Sequence, residues 1–345
     1  MKFAMQFPST QARPFFGGAL AALFLAALCM VAPSLRAQAA APQSGARSHQ
    51  AEPRMRSRVF IYDLGSRTSH LVYTADTIWE APNWSPDGKY LILNSGGAIY
   101  KFVLQSDGTA TPQKLAIPDD YRCNNDKAIS PDGKKLGFSA NVLPNRGSQV
   151  FLADADGNNV KRMVSPSPSY FHGWSPDSKT MAFVAQRNGS GQFDIYSIPA
   201  AGGAERQLDS DIHHDDGPDY SPDGKWIYIN SARSGKEAIW RFPADGAGLH
   251  DAKAEMVVSD GHEDWFPHIA PDGKKMVYIG YPAGTPTHDP RSVPIVFKLV
   301  AIHGDKVAAT QRTLVRATGG QGSFNVNSWS PDSMRFAYVT YEPLP

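Results

Sequence analysis

Trp84-Ser85-Pro86-Asp87-Gly88-Lys89 is written six times in this chain of 345 residues, with small changes, at 84–89, 129–134, 174–179, 220–225, 269–274 and 329–334. Its prolines stand at 86, 131, 176, 222, 271 and 331, a period of about 45 residues until the longer last gap. A period of that size marks an array of equal supersecondary units, and four short strands per unit make a propeller blade. The phrase is turn chemistry: proline presets φ, aspartate bonds the backbone two residues on, and glycine accepts the left-handed conformation. After each turn the residues alternate as a strand should, as in Tyr90-Leu91-Ile92-Leu93-Asn94 and Trp226-Ile227-Tyr228-Ile229-Asn230. Six phrases predict six blades in an all-β chain.

The sixth phrase lies close to the C-terminus, leaving room for only two strands of its blade. The missing pair stands at the start, as 58–63 and 69–73 joined by a turn at Gly65-Ser66. The N-terminal strands are therefore expected to complete the last blade and close the ring, burying Val59, Ile61, Leu71 and Tyr73.

Before these strands the chain reads as an export signal over 1–39. Lys2 and Arg13 precede an apolar run, and small residues at Ala37-Gln38-Ala39-Ala40 offer a cleavage site. Residues 40–56 read as a disordered tether, and 57–345 as a single propeller. Such a protein is expected in the periplasm or outside the cell, as a monomer with no membrane span once the signal is removed. Without the signal, Cys123 is the only cysteine and no intrachain disulfide can form. Lys and Arg number 34 against 33 Asp and Glu, with no basic stripe, which argues against nucleic acid as a partner.

Function is expected in the stretches leading into each phrase, because these vary while the phrase hardly does. They open on the face opposite the Pro-Asp turns, at the mouth of the central channel. The large residue two places before each proline belongs to the packing between blades. The polar residues around and before it form the candidate ligand site: Glu80, Asn83, Asn125, Asp126, His172, Asp215, Asp216, Asp219, Asp264, His268, Asn325 and Asn327. Carboxylates, amides and imidazoles from several blades can hydrogen-bond a sugar or peptide. His172, His214 and His268, from three blades, can also supply imidazoles to a divalent metal such as manganese, calcium or zinc. An insertion at 281–294 falls between the second and third strands of blade five on the mouth side, and is expected to bring His288, Asp289 and Arg291 to the ligand.

These phrases resemble the TolB-type propeller repeat, over roughly residues 57–345. The segments 216–226 and 265–274 look like those of stand-alone propellers in that family. The resemblance implies an exported propeller that binds a peptide, a glycan or an envelope protein without catalysis. It also brings in oligogalacturonate lyase, a propeller whose mouth uses histidines and a glutamine to hold a divalent metal against an acidic sugar. His172, His214 and His268 are similar in chemistry, and a metal-assisted lyase or hydrolase acting on a carbohydrate is the alternative. No Gly-x-Ser-x-Gly elbow is present.

Overall fold

A computed structural model describes residues 54–144 and 147–345. The expected signal, and all but the last three residues of the expected tether, lie outside the described residues.

Each repeated phrase folds the same way. In the first, Gly88 takes φ 75°, the Ser85 hydroxyl donates to Asp87 Oδ1 at 2.7 Å, and Asp87 Oδ1 accepts from Lys89 N at 3.1 Å. The same hydroxyl accepts from Tyr90 N at 3.1 Å. The serine makes this bond to the aspartate in five of the six phrases, and the fifth closes the same backbone turn at Ala270 without it. In the third and sixth phrases Ser178 and Ser333 replace glycine, at φ 61° and 59°. Their hydroxyls accept from Asp132 N and Asp272 N, in the turns of the preceding blades.

Five phrases sit in four-stranded antiparallel sheets whose strands follow one another in sequence order. Their inner strands are Glu80–Trp84, Tyr121–Ile129, Ser169–Trp174, Asp215–Tyr220 and His262–Ile269. The sixth sheet pairs Arg335–Pro343 with Met55–Asp63, which pairs in turn with Thr68–Ala75. The ring is a six-bladed β-propeller closed by its N-terminal strands. The inner segment of blade six keeps one bridge, Trp329 to Phe336, and is preceded by the 3-10 turn Gln321–Ser323. Among the described residues no helix is long and apolar enough to cross a membrane.

Closure differs from expectation in two details. Val59 and Ile61 are buried, but Leu71 is 49% exposed and Val72 takes its place in the core. The pairing shifts between Val59, opposite Tyr73, and Phe60, opposite Leu71. One extra residue in a strand reverses the facing of what lies beyond it. The first strand also starts earlier than the expected boundary, because Met55 is buried and pairs with Pro343.

Neighbouring sheets pack through the large residues before the prolines, and backbone groups join them. Trp174 and Trp329 donate from Nε1 to the carbonyls of Ala128 and His268, each at 3.0 Å. Cys123 lies in the core near blade two, where burial pushes its thiol up to about 12.

Candidate functional site

Every four-stranded blade has a bulge in its inner strand at the level of the mouth. The pairing shifts between Glu80 and Asn83, Cys123 and Lys127, Phe171 and Gly173, Asp216 and Asp219, and Trp265 and His268. Ala81, Gly217 and Phe266 take positive φ there, at 52°, 63° and 51°. Bulges re-aim side chains, and these sort the candidate residues into separate groups.

Residues before or on the bulges line a cavity of about 760 Å3 at the mouth, among them Glu80, Asn125, Asp126, His172, His214 and Asp216. Residues after the bulges turn away and tie blade to blade. Asn83 accepts from Ile129 N at 2.9 Å and donates to the Asn327 carbonyl at 2.7 Å. Asp219 accepts from Ile269 N at 3.0 Å and from Asn327 Nδ2 at 2.9 Å. His268 approaches the Phe324 carbonyl through Nε2 at 3.2 Å, with its ring against Phe324. Asn325 is buried and donates to Asp126 at 2.6 Å, so it supports the mouth without lining it.

Two carboxylates leave the mouth for side clusters. Asp215 pairs with Arg233 at 2.7 Å. Asp264 accepts from Asp260 N at 3.3 Å near Lys298 and Tyr278. His172, His214 and His268 do not converge either. Among the described residues, the group of three acidic or imidazole donors lying mutually within 4.8 Å is Asp209, Asp215 and Asp251. The Arg233 guanidinium already sits among those three, at 2.7 to 3.6 Å.

The structure adds mouth residues that repeat alignment did not single out. Glu237 comes from the loop between the second and third strands of blade four, and Trp265 from the bulge of blade five. The inserted loop delivers His288, Asp289 and Arg291 as expected. It is clasped in place: the His288 carbonyl accepts from Gln321 N at 3.0 Å, Gly284 N donates to Glu263 at 2.9 Å, and Arg291 reaches Glu80 at 3.1 Å. Contact with blade six requires Gly320, where an added Cβ would lie 1.7 Å from the Pro290 carbonyl. Gly320→Ala is expected to lift this loop, read as new protease cleavage within 283–292 while the circular dichroism of the sheets is retained.

At the floor His172 Nε2 meets Asp216 Oδ1 at 3.0 Å, with Asp126 3.9 Å away. Burial alone would raise the Asp216 carboxyl, but His172, with His288 and His214 behind it, holds it well below the usual range. Burial opposes the charged form of His172, yet Asp216 and Asp126 raise it overall. Burial dominates elsewhere, pushing Glu237 up to about 8 and Asp126 up to about 6 and lowering His288.

These shifts set a pH dependence. Glu237, Asp126 and Asp264 (pushed up to about 7 by burial) all hold protons more tightly folded than unfolded. Their contribution is fully present below about pH 4 and is lost as pH rises through their folded values, between 6 and 8. His172, raised when folded, adds a loss of the same sign above about pH 6.5. Asp216, lowered, contributes throughout this window. His288 and Lys127, both lowered by burial, act with the opposite sign, but they are outnumbered, so the melting temperature is expected to fall between pH 5 and pH 8. Glu237→Gln is expected to flatten the upper part of that fall in a scanning fluorimetry series.

The sheet order, strand closure and Pro-Asp turns define a six-bladed propeller of the Pro-Asp repeat class with a walled mouth. The family description "TolB beta propeller domain" matches residues 169–288. An uncharacterized protein of Agrobacterium fabrum is 40% identical over 290 residues, covering 84% of this chain and 94% of that protein. A solved structure from Agrobacterium tumefaciens, provisionally called TolB, superposes with a TM-score of 0.77 at 40% identity, over 84% of this chain and 99% of that one. The Tol-Pal system protein TolB of Francisella tularensis is 24% identical over 278 residues, 79% of this chain but 59% of its own length. The chain belongs to the TolB-type β-propeller family.

Proposed function

We propose that this protein is an exported, non-catalytic propeller of the cell envelope that binds a partner at the channel mouth, and that the bound element is a segment of an envelope protein. The observation that carries this reading is the cavity of about 760 Å3, within the size range of ligand pockets and large enough for a short segment of a partner with several side chains. Its wall combines rings with polar groups, and the inserted loop adds three side chains where a decorative loop would point outward. The Francisella relative, named as part of the Tol-Pal system, supports a partner in the envelope. The segment 1–39 supports export. The metal-assisted enzyme is less well supported, because His268 bonds the Phe324 backbone away from the mouth cavity.

The test is to fill the mouth. Thr287, on the inserted loop at the cavity wall, is replaced by tryptophan, and the full chain and the variant are used to capture proteins from a periplasmic extract. The wild type is expected to retain one envelope protein identified by mass spectrometry, which Thr287→Trp loses without a change in melting temperature. Equal capture by both would overturn the reading.

A further inference from the structure

The mouth cavity is lined by two unlike sets of side chains. Five rings follow one another without a break: Tyr170 to Phe193 at 5.8 Å, Phe193 to His214 at 5.6 Å, His214 to Trp265 at 5.9 Å and Trp265 to His288 at 4.5 Å between centroids. They come from blades three, four and five and from the inserted loop. Among these rings the same lining carries the carboxyl groups of Glu80, Asp126, Asp216, Glu237 and Asp289, with Glu237 3.9 Å from His214 and Asp216 3.9 Å from His288. Among the described lining residues, five carboxyl side chains thus face one guanidinium, that of Arg291, which is engaged by Glu80. Of the lining histidines, His172 is raised but its charge is paired with Asp216, and His288 is lowered by burial.

One histidine is also incompletely satisfied. His172 spends Nε2 on Asp216 and is bonded as well to the Asn325 backbone. His288, held neutral by burial, faces Asp216 with Nε2 at 3.9 Å and leaves Nδ1 buried without a partner, a site that can accept from the N–H of a cation. Buried polar atoms of this kind are rare in a finished core, and each one marks a place where a hydrogen bond is still to be made.

We infer that the mouth recognises a cationic side chain, the ammonium of lysine or the guanidinium of arginine, presented by the partner polypeptide. This rests on the mouth being the binding site proposed above. An organic cation is attracted by the faces of aromatic rings and by carboxylates, and the cavity lining brings the two together. An acidic ligand would meet five carboxyl groups, and a purely apolar one would strand them. A neutral sugar would use the rings and hydrogen bonds but gain nothing from the excess of carboxyl groups.

Glu237 supplies a signature that packing alone cannot imitate. Its carboxyl is pushed up to about 8 by burial, so near neutrality it holds a proton in the empty site. An arriving cation lowers that value and drives the proton off. Binding is therefore expected to release protons at pH 7.5.

The probes are acetyl-Gly-Lys-Gly-amide, its ε-acetyl-lysine counterpart and its glutamate counterpart, titrated calorimetrically into the full chain in buffers of different ionisation enthalpy. The lysine peptide is expected to bind at least about tenfold more tightly than either counterpart, with net proton release. Glu237→Gln is expected to abolish the proton release, and Asp216→Asn to weaken binding about tenfold with the fold intact by circular dichroism. Equal affinity for the acetylated peptide, no binding of the lysine peptide, or proton uptake on binding would each overturn the inference. If the partner is still lost on Thr287→Trp while the lysine peptide fails, this inference falls and the mouth stands as the binding site. If capture survives Thr287→Trp, the mouth reading itself falls.

Discussion

A chain beginning after Leu64 is expected to lose its cooperative thermal transition and to aggregate, whereas one beginning at Arg54 melts as a single unit. The strand Met55–Asp63 lies in the middle of its sheet, paired over its whole length with Arg335–Pro343 and on its other side with Thr68–Ala75. It buries Met55, Val59, Ile61 and Tyr62. At about 1.5–3 kcal/mol for each large buried side chain, these four contribute roughly 6–12 kcal/mol, comparable to the whole net stability of a typical domain. Removal also detaches the strand outside it and bares Arg335–Pro343 as a new edge. Scanning calorimetry with light scattering reads both effects. A truncated chain that kept the melting temperature of its parent would show that closure contributes little.

Lys127→Met is expected to cost about 2–4 kcal/mol, the penalty for leaving buried acceptors unpaired, and to lower the melting temperature by roughly 3–7 °C for a chain of this size. The Lys127 side chain is fully buried. Its ammonium donates to the Ala81 carbonyl at 2.6 Å and to Asn94 Oδ1 at 2.9 Å, with the carbonyls of Glu80 and Asn125 each at 3.4 Å. The cage joins blades one and two beneath the mouth and fixes Ala81 at φ 52°, a conformation that alanine adopts only at a cost. Burial lowers the ammonium to about 7, against the pull of Glu80 and Asp126. Methionine fills the space but donates nothing, so the relief from burying a cation is offset by several unpaired oxygens. Ala81→Gly in the Lys127→Met background is expected to restore part of the loss, since glycine accepts positive φ freely. A single variant as stable as the parent would show that water replaces the ammonium at no cost.

The ring was legible because its signal is local and repeated. Ser-Pro-Asp-Gly carries its turn within six residues, and the carboxylate and glycine do in the structure what their chemistry predicts, while the hydroxyl adds a bond the sequence reading did not assign. The closing strands were legible from a count of what the sixth phrase lacked. Strand facing was less so, since nothing in Leu71-Val72-Tyr73 announces the shift opposite Val59 and Phe60 that exposes Leu71.

The mouth was half legible for the same reason. Aligning the leading stretches on the proline assumes unbroken alternation back from the turn, and the bulges break it in every four-stranded blade. Hence Asp216 reaches the cavity while Asp219 bonds blade five, and Trp265 reaches it while His268 bonds blade six. A signal was available at Gly217, whose Cβ would meet Asn230 at 2.9 Å and Phe266 at 3.0 Å. A glycine inside an otherwise regular strand marks such a break. Glu237 gave no comparable sign, because it stands in a loop of ordinary polar composition.

A ring sealed by its first and last strands has a timetable. Met55 cannot find Pro343, nor Asp63 find Arg335, until nearly the whole chain has left the ribosome or the translocation pore. Blades one to five can form in order as they emerge, each from contacts within its own 45 or so residues. The sixth waits, with Val59, Ile61 and Val72 uncovered in the meantime. The earliest strands to appear are therefore the last to be used, and the interval between the two is when this protein most needs a chaperone.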